Sequence, residues 1–333
     1  MNANVGKDCD ILIENAFFLN KDLDPEHRRH IAIKNGRISA IGDGPDTFNV
    51  SLILDGHGLL WMPGLVDGHT HTSQQLLRGR LLDEKPVIWK RINVPFEAGL
   101  TRETSRLSAQ LAALEMIRSG TTAFVDAGGR DVDVFSEVYE QSGLRCGLTR
   151  MTTDAPGAPE TLRSTPREAL RRLHELHRDM ESRGEDRMKA FFSVTALTAC
   201  SEEMIRSVFS EAIALGLPIE VHMNEYPSEV FDFMERYGKR PFEYLEDAGL
   251  IGPRFLAPHC IFLSQEETDI LSRNGVRVAH CPFSNCGKGV PNTPQLLKRG
   301  IGVGFGTDGS GHGGLDLFRE IRLFRGVMNA PHG

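Results

Sequence analysis

The sequence predicts an α/β fold, a (β/α)8 barrel with a smaller β-rich domain ahead of it. Short apolar runs of strand length alternate with segments of helical pattern such as residues 201–216 and 264–274, which is typical of a parallel sheet covered by helices. Eight such units fill about 250 residues, the usual size of this barrel. The predicted strands are residues 63–71, 121–127, 144–153, 188–196, 218–225, 254–260, 276–285 and 301–308.

The first sixty residues are patterned differently from the rest of the chain. Segments 10–19 and 30–41 alternate apolar and polar side chains, as half-buried strands do. The dipeptide Asn35-Gly36 predicts a hairpin turn between two strands. We therefore predict that residues 1–60 form a separate domain with antiparallel strands.

Residues 61–333 are predicted to form the barrel domain. The chain stops at Gly333, partway into the helical segment that begins near Leu315 and follows the eighth strand. A barrel of this kind uses its last helix to cover that strand. We expect the chain to be a fragment or an incomplete gene product.

Bulk composition narrows the range of partners and locations. The net charge of -7 disfavours nucleic acid, because phosphate binding requires a basic surface. No apolar run approaches the length that spans a membrane, and the N-terminus lacks the regions of a signal peptide. For this reason no membrane partner is expected. The six cysteines include no CxxC pair, which indicates reduced thiols in a cytoplasmic protein.

A pair of histidines at the end of the first predicted strand indicates a metal site. His69 and His71 are two residues apart, so both side chains leave the strand on the same side. Two ligands do not complete a coordination shell, but other predicted strands also end in ionisable residues. Active sites of these barrels lie at the carboxyl ends of the strands. The residues predicted to gather there with the pair are His222, Glu225, His259, His280 and Asp308.

With these residues in place, the chain resembles the amidohydrolase superfamily, in the branch of cytosine, guanine and S-adenosylhomocysteine deaminases and triazine hydrolases. The resemblance covers essentially the whole chain and implies that the first domain is part of a small β-sandwich whose C-terminal half is missing. The motifs that carry it are PGLVDGHTH (63–71), LLRG (76–79), SGTTAFVD (119–126), VHMNE (221–225), HCIFLS (259–264), AHCPFSN (279–285) and FGTDG (305–309).

The resemblance implies one divalent metal ion, zinc or iron. Imidazole and carboxylate groups suit such ions, and a catalytic site leaves one position open for water. Dinuclear relatives usually carry a carboxylated lysine at the end of the fourth strand, whereas here that strand has only Lys189, at its start. A mononuclear site is therefore expected. Its implied ligands are His69, His71, His222 and Asp308.

The resemblance also implies catalytic roles for three residues. Glu225 is expected to protonate a ring nitrogen, because attack on a C=N bond leaves negative charge on nitrogen. His259 is expected to orient or deprotonate the water, and Asp308 to pass a proton to the leaving group.

Substrate-binding residues are expected just after the first strand and at the ends of the third and fourth strands. In nucleoside-deaminating relatives a histidine occupies the position of Thr195, so we expect a smaller heterocycle (pyrimidine, purine base, pterin or triazine) rather than an adenosine-type substrate. Trp89 is a candidate to stack on a planar ring. The remaining candidates are Gln74, Gln75, Arg78, Glu97, Arg150 and, in an outer layer or near substrate, His280.

The leading functional hypothesis is hydrolytic deamination of an amino-substituted aromatic N-heterocycle, a small-molecule substrate, through metal-activated water. One alternative is another hydrolysis at the same metal site, either triazine dechlorination or the opening of a cyclic amide. The other is a truncated, non-catalytic homologue. We also expect the protein to be a homo-oligomer.

Overall fold

The computed structural model describes residues 7–20, 22, 24–27, 30–42, 48–81, 84–85, 87–184, 186–311 and 313–332. The chain divides into two compact units, Met1–Gly64 and Leu65–Gly333. Within the described ranges, no helix combines the length and the apolar character needed to cross a membrane.

The first unit consists of two small sheets. One has the order β5-β4-β1-β6 and the other the order β3-β2-β7. The hairpin predicted at Asn35-Gly36 joins β4 to β5, and both turn residues have the positive φ, 50° and 69°, that a two-residue hairpin favours. The strands are β1 (Lys7–Glu14), β2 (Phe17–Leu19), β3 (Pro25–His27), β4 (His30–Lys34), β5 (Arg37–Gly42), β6 (Phe48–Asp55) and β7 (Leu60–Trp61).

The second unit contains two parallel sheets. Their orders are β11-β10-β9-β8-β16 and β12-β13-β14-β15. An isolated parallel bridge from Phe192 to Ile219 links the segment after β11 to β12. The strands are β8 (Leu65–His71), β9 (Thr121–Gly129), β10 (Arg145–Arg150), β11 (Met188–Ala190), β12 (Ile219–Glu220), β13 (Phe255–Pro258), β14 (Arg277–His280), β15 (Val303–Phe305) and β16 (Asp308–Gly309).

Each of the eight predicted runs contains a strand, but several are shorter than predicted. The eighth is split, because β15 pairs with β14 whereas β16 pairs with β8. Beyond β11 and β12 isolated parallel bridges continue the pairing, and side-chain hydrogen bonds add to them. The Thr195 hydroxyl donates to the Thr152 carbonyl, and His222 donates to the Thr195 carbonyl.

Helices follow most of the parallel strands. Residues Thr72–Leu77 and Leu197–Ala199 form short 3-10 helices, and Trp89–Asn93 forms a π-helical turn. The α-helices are α1 (Val94–Ala98), α2 (Arg102–Ser119), α3 (Val132–Ser142), α4 (Pro166–Ser182), α5 (Glu202–Leu215), α6 (Pro227–Tyr237), α7 (Pro241–Asp247), α8 (Gln265–Asn274), α9 (Pro282–Cys286), α10 (Thr293–Lys298) and α11 (Leu317–His332).

The two helices predicted from their patterning correspond to α5 and α8. Each begins after a serine, Ser201 or Ser264, whose hydroxyl accepts a hydrogen bond from a first-turn N–H. Such caps contribute about 1 kcal/mol each. Phe209 of α5 packs edge-on against Phe255 of β13 with ring centres 5.7 Å apart. This buried packing holds α5 against the strand and helps to fix where the strand end lies.

Candidate active site

Four strands bring the predicted metal ligands and His259 together. His69 and His71 lie at the end of β8, and Asp308 of the short strand β16 pairs with Thr70, so it lies beside that end. His222 and His259 lie just beyond the carboxyl ends of β12 and β13, which pair in parallel. One ligand atom from each of His69, His222, His259 and Asp308 lies within 4.8 Å of the others.

The distances show several imidazole nitrogens around one carboxylate. The Oδ1 atom of Asp308 is 3.4 Å from His69 Nε2 and 3.3 Å from His71 Nε2. His71 Nε2 is also 3.0 Å from His222 Nε2. His259 Nε2 lies 3.9 Å from the other carboxylate oxygen of Asp308. The site therefore includes His259 among the possible ligands, although the sequence suggested only an interaction with water for it.

The donor set fits a divalent metal ion. His69 Nε2 and His259 Nε2 are buried and have no hydrogen-bond partner among the residues that the structure describes. Leaving a buried polar atom unpaired costs about 1–3 kcal/mol. A cation that accepts both lone pairs would remove this cost, and imidazole nitrogens with a carboxylate are ligands that zinc and iron prefer.

The outer nitrogen of three of the four imidazoles, those of His69, His222 and His259, is held by a second group. His69 Nδ1 is 2.6 Å from Glu220 Oε1, and His259 Nδ1 is 2.9 Å from Asn285 Oδ1. His222 Nδ1 donates to the Thr195 carbonyl at 3.0 Å. These bonds turn each Nε2 atom toward Asp308 and fix the ring orientation.

Sequence reasoning missed Glu220 and Asn285. Glu220 lies two residues before His222, so the alternation of a strand was a usable signal that both side chains share a face. Asn285 lies in α9, beyond the end of β14, where no such alternation applies.

Burial determines the protonation of two of the histidines. It lowers the pKa of His222 well below the usual value of 6.5, and the neighbouring imidazoles lower it further. Burial, followed by the Lys288 ammonium, lowers the pKa of His259 in the same way. Both rings are therefore neutral near pH 7, so each keeps a nitrogen lone pair available to a metal ion.

Backbone strain is concentrated at these strand ends. His259 and Asp308 have positive φ values of 70° and 57°, in a region that costs non-glycine residues about 1–3 kcal/mol. Thr307 offsets part of this cost, since its N–H and hydroxyl both donate to Asp67 of β8. Gly306 is required beside it, because a Cβ atom there would lie 2.8 Å from the His69 carbonyl oxygen.

A cavity opens onto the cluster. Four of the predicted substrate-binding residues line it, together with Glu225. Glu97 is buried there and accepts hydrogen bonds from Ser73 at 2.6 Å and Gln74 at 3.1 Å. The predicted lining residues are Gln74, Trp89, Glu97 and Thr195, and those that the sequence analysis missed include Asn93, Met151, Tyr226, Glu229 and Lys288.

Arg78 and Gln75 are placed outside this lining. Arg78 forms an ion pair with Glu115 of α2 and donates to Gln75 Oε1 at 2.9 Å. The guanidinium is drawn toward α2 because it finds its carboxylate partner there. Neither residue lines the cavity, and their contact with substrate stays a prediction.

Arg150 and His280 also lie outside the cavity lining. Arg150 is the last residue of β10. Burial and the charge of Arg172 in α4 lower the pKa of its guanidinium, and the charge of Asp133 in α3 partly opposes them. Strand alternation turns Arg150 toward the helices, whereas the next residue, Met151, lines the cavity. His280 Nδ1 is 3.1 Å from Asn285 Nδ2, so this histidine belongs to an outer layer, one of the two positions expected for it.

Two lysines bear on the number of metal ions and on the charge of the site. Lys189 is half exposed at the start of β11 and lies 3.5 Å from Asp186, away from the strand ends. Lys288 is buried and forms an ion pair with Glu225 Oε1 at 2.5 Å. The position of Lys189 is compatible with the expected mononuclear site. The ion pair of Lys288 with Glu225 was not predicted from the sequence.

A sequence profile described as the amidohydrolase family matches residues 60–330. The chain is 34% identical over 324 residues to a 5'-deoxyadenosine deaminase of Methanosarcina barkeri, with 94% of this chain and 72% of that protein aligned. It is also 34% identical over 310 residues to a 5-methylthioadenosine/S-adenosylhomocysteine deaminase of Desulfitobacterium hafniense, with 91% and 69% aligned.

Solved structures are similar over nearly the whole chain. An adenosine deaminase from Xanthomonas campestris with bound zinc aligns with a TM-score of 0.88 and 29% identity, over 97% of this chain and 76% of that one. A guanine deaminase from C. acetobutylicum aligns with a TM-score of 0.84 and 23% identity, over 96% and 80%, and supports the fold alone. These neighbours imply an α/β TIM-like barrel, and the resemblance noted in the sequence is confirmed. The chain belongs to the amidohydrolase family.

Proposed function

We propose that this chain catalyses the metal-dependent hydrolytic deamination of an amino-substituted aromatic N-heterocycle. The observation that carries the proposal is the set of buried, unpartnered histidine nitrogens beside Asp308, at a cavity that Glu225 also lines. The family assignment and the deaminase names of the 34% identical relatives support it.

One divalent ion is proposed at this site, zinc or iron. A bound ion supplies a Lewis-acid centre that makes water a stronger acid, and hence a source of nucleophile, near pH 7. The outward position of Lys189 supports a single ion, because a bridging lysine would need to lie at the strand end. The proposed ligands are His69, His71, His222 and Asp308, with His259 close enough to join them.

Three residues are proposed to take part in proton transfer. Water, oriented by His259, adds to the ring carbon that bears the amino group, and one of its protons passes to the Glu225 carboxylate, 3.7 Å from His259. Glu225 then gives this proton to the ring nitrogen. When the adduct collapses, the proton of the added hydroxyl passes to Asp308, 3.9 Å from His259, and from there to the amino group, so that ammonia leaves and a ring carbonyl remains.

The cavity walls suit a planar ring with hydrogen-bonding groups. Trp89 offers an aromatic face, and Glu97 offers a buried carboxylate that can accept an N–H or O–H. Thr195 favoured a small heterocycle in the sequence, whereas the relatives are named for adenosine-type substrates. The substrate range tested should therefore include purine nucleosides as well as free bases and triazines.

The test is ammonia release from the purified, zinc-loaded chain. We expect one ammonia and one ring carbonyl per substrate consumed for at least one of 5'-deoxyadenosine, S-adenosylhomocysteine, guanine or an aminotriazine. Chloride release from a chlorotriazine without ammonia would instead favour dechlorination. Opening of a cyclic amide alone would favour amide hydrolysis, and the absence of any turnover from metal-loaded protein would favour a non-catalytic homologue.

We also propose that β8 to β16, with β15 and β16 together forming the eighth strand, close into an eight-stranded barrel and that the first unit is part of a β-sandwich. The bridge between Phe192 and Ile219 and the pairing of β16 with β8 support closure. The proposed domains remain residues 1–60 and 61–333. The cytoplasmic location and the homo-oligomeric state stay predictions.

A further inference from the structure

Lys288 places an ammonium group between the two carboxylates that are proposed to handle protons. Its Nζ atom is 2.5 Å from Glu225 Oε1 and 3.6 Å from Asp308 Oδ2, and its side chain is only 6% exposed. It also donates to Ser284 Oγ at 2.6 Å. Ser284 in turn donates to Asp308 Oδ2. One cation thus contacts Glu225 directly and Asp308 both directly and through a serine.

The loop that carries Lys288 is held rigidly. The N–H groups of Lys288 and Gly289 both donate to the Asn285 carbonyl at the end of α9, at 2.8 Å and 2.9 Å. A Cβ atom at Gly289 would lie 2.8 Å from Ile261 Cγ2, so this backbone lies directly against the segment after β13. The backbone that carries the Lys288 ammonium group is therefore held in place by these contacts.

The charge arrangement gives this lysine a specific task. A buried ammonium is costly unless it is paired and hydrogen-bonded, and here its neighbours are two carboxylates and a hydroxyl. Binding Glu225 through Oε1 leaves Oε2 as the oxygen that can face a substrate. The main chain of Glu225 is held as well, since its N–H donates to Glu229 at 3.1 Å.

We propose that Lys288 is a positioning residue, which orients the Glu225 carboxyl toward the substrate and, through Ser284, the carboxylate of Asp308. This inference rests on the proposed deamination. It assigns to the loop after α9 the task of aligning the proton donor with the site of water attack. Misplacement of a reacting group by about 1 Å can cost on the order of 100-fold in rate.

The kinetic test compares Lys288→Met, Lys288→Arg and a surface control, Lys239→Met. Lys239 pairs with Asp247 and is half exposed. We expect Lys288→Met to lower kcat by about 10- to 100-fold with KM within about threefold, Lys288→Arg to recover part of the loss, and the control to match wild type. A KM rise that accounts for the loss would overturn the proposal in favour of direct substrate binding. Full activity of Lys288→Met would overturn it outright.

A double-mutant cycle tests whether the lysine acts through Glu225. In a Glu225→Gln background we expect Lys288→Met to lower the residual kcat by clearly less than it does in wild type, because one of the two groups that it orients is already disabled and only the effect on Asp308 remains. An undiminished 10- to 100-fold loss in that background would show that the two residues act independently and would contradict the positioning role.

A readout without turnover separates this proposal from the proposed function. Crystal structures of zinc-loaded wild type and Lys288→Met would show whether Glu225 and Asp308 change orientation while the histidines stay in place. Reorientation supports positioning even if no heterocycle is deaminated, a result that would count against the function alone. Unchanged carboxylates in Lys288→Met, or a wild-type Lys288 that contacts neither carboxylate, would refute the positioning role.

Discussion

At the scale of single residues, the site depends on which nitrogen each histidine presents. Glu220, the Thr195 carbonyl and Asn285 each bind one Nδ1 atom, so the Nε2 atoms of His69, His222 and His259 face inward. Each of these contacts joins residues that are far apart in sequence. The supporting groups are therefore as much part of the site as the ligands themselves.

Replacing Asn285 tests this support. Asn285→Ala removes the acceptor for His259 Nδ1, and we expect kcat/KM to fall by about 10- to 100-fold because the ring loses its fixed orientation. Asn285→Asp keeps an acceptor oxygen and should retain more activity. Steady-state kinetics with the best substrate measures both, and equal activity of wild type and Asn285→Ala would show that His259 needs no such support.

Glu225 is predicted to be the proton donor. Glu225→Gln keeps the size of the side chain but removes the transferable proton, so we expect kcat to fall by about 100- to 10,000-fold while the metal content stays at the wild-type level. Ammonia release and elemental analysis of the same sample provide the comparison. Activity that survives this substitution would mean that another group protonates the ring.

At the scale of elements, the split eighth strand is the feature most closely tied to the site. Gly306 and Thr307 separate β15 from β16 and let Asp308 adopt its positive φ. We expect Gly306→Ala to destabilise the protein by about 1–3 kcal/mol, because its Cβ atom would meet the His69 carbonyl oxygen at 2.8 Å and Cys281 Sγ at 3.0 Å.

Gly304 supplies the matched control for this substitution. It lies two residues earlier, in β15, and a Cβ atom there would have no neighbour within 4 Å. Chemical denaturation should show Gly304→Ala close to wild type and Gly306→Ala clearly less stable, with weaker metal binding. Equal effects of the two substitutions would contradict the close approach of the split strand to His69.

Helix α11 carries a buried carboxylate whose ionisation should affect stability. Burial raises the pKa of Glu320 to about 8, although its carboxylate accepts the Phe283 N–H at 2.9 Å. Between its ordinary pKa and this value the folded protein binds the extra proton, so this residue makes folding less favourable as pH rises through that range.

Glu320→Gln keeps an acceptor oxygen for Phe283 but cannot ionise. We expect the Tm of the variant relative to wild type to be higher at about pH 9 than at about pH 5. Differential scanning calorimetry at both pH values measures this difference. A Tm difference that does not change with pH would show that Glu320 has an ordinary pKa.

The elements that could be predicted are those with local signals. Alternation, apolar runs and helical patterning locate the strands and helices such as α5 and α8, and the paired histidines locate the site. The split between β15 and β16 could not be predicted, because it depends on contacts of Thr307 with distant Asp67. Lys288 was missed for the same reason, since its partners Glu225 and Asp308 are brought to it only by the fold.

The predicted substrate contacts show the same limit. Gln74, Trp89, Glu97 and Thr195 line the cavity, because residues that follow strand ends lie near the site on any such fold. Arg78 fails this rule, since its direction is set by Glu115 on a neighbouring helix. Position along the chain predicts proximity to the site, but the partner of each side chain decides where it points.

At the scale of the whole molecule, one bound ion is proposed to be the centre of both stability and chemistry. Residues from four strand ends of the barrel unit converge on it, so loss of the ion would leave buried nitrogens unpaired across that unit. The alternatives differ in how many ions the chain binds. A dinuclear site would favour amide hydrolysis, and a chain without metal would be a defective homologue.

The most direct measurement is therefore the metal content of the purified chain by elemental analysis, beside that of His222→Ala. We expect about one zinc or iron ion per wild-type chain and a nearly complete loss in the variant, because the variant lacks a ligand of a four- or five-coordinate site. Two ions per chain, no metal in wild type, or one ion retained in full by His222→Ala would contradict this expectation.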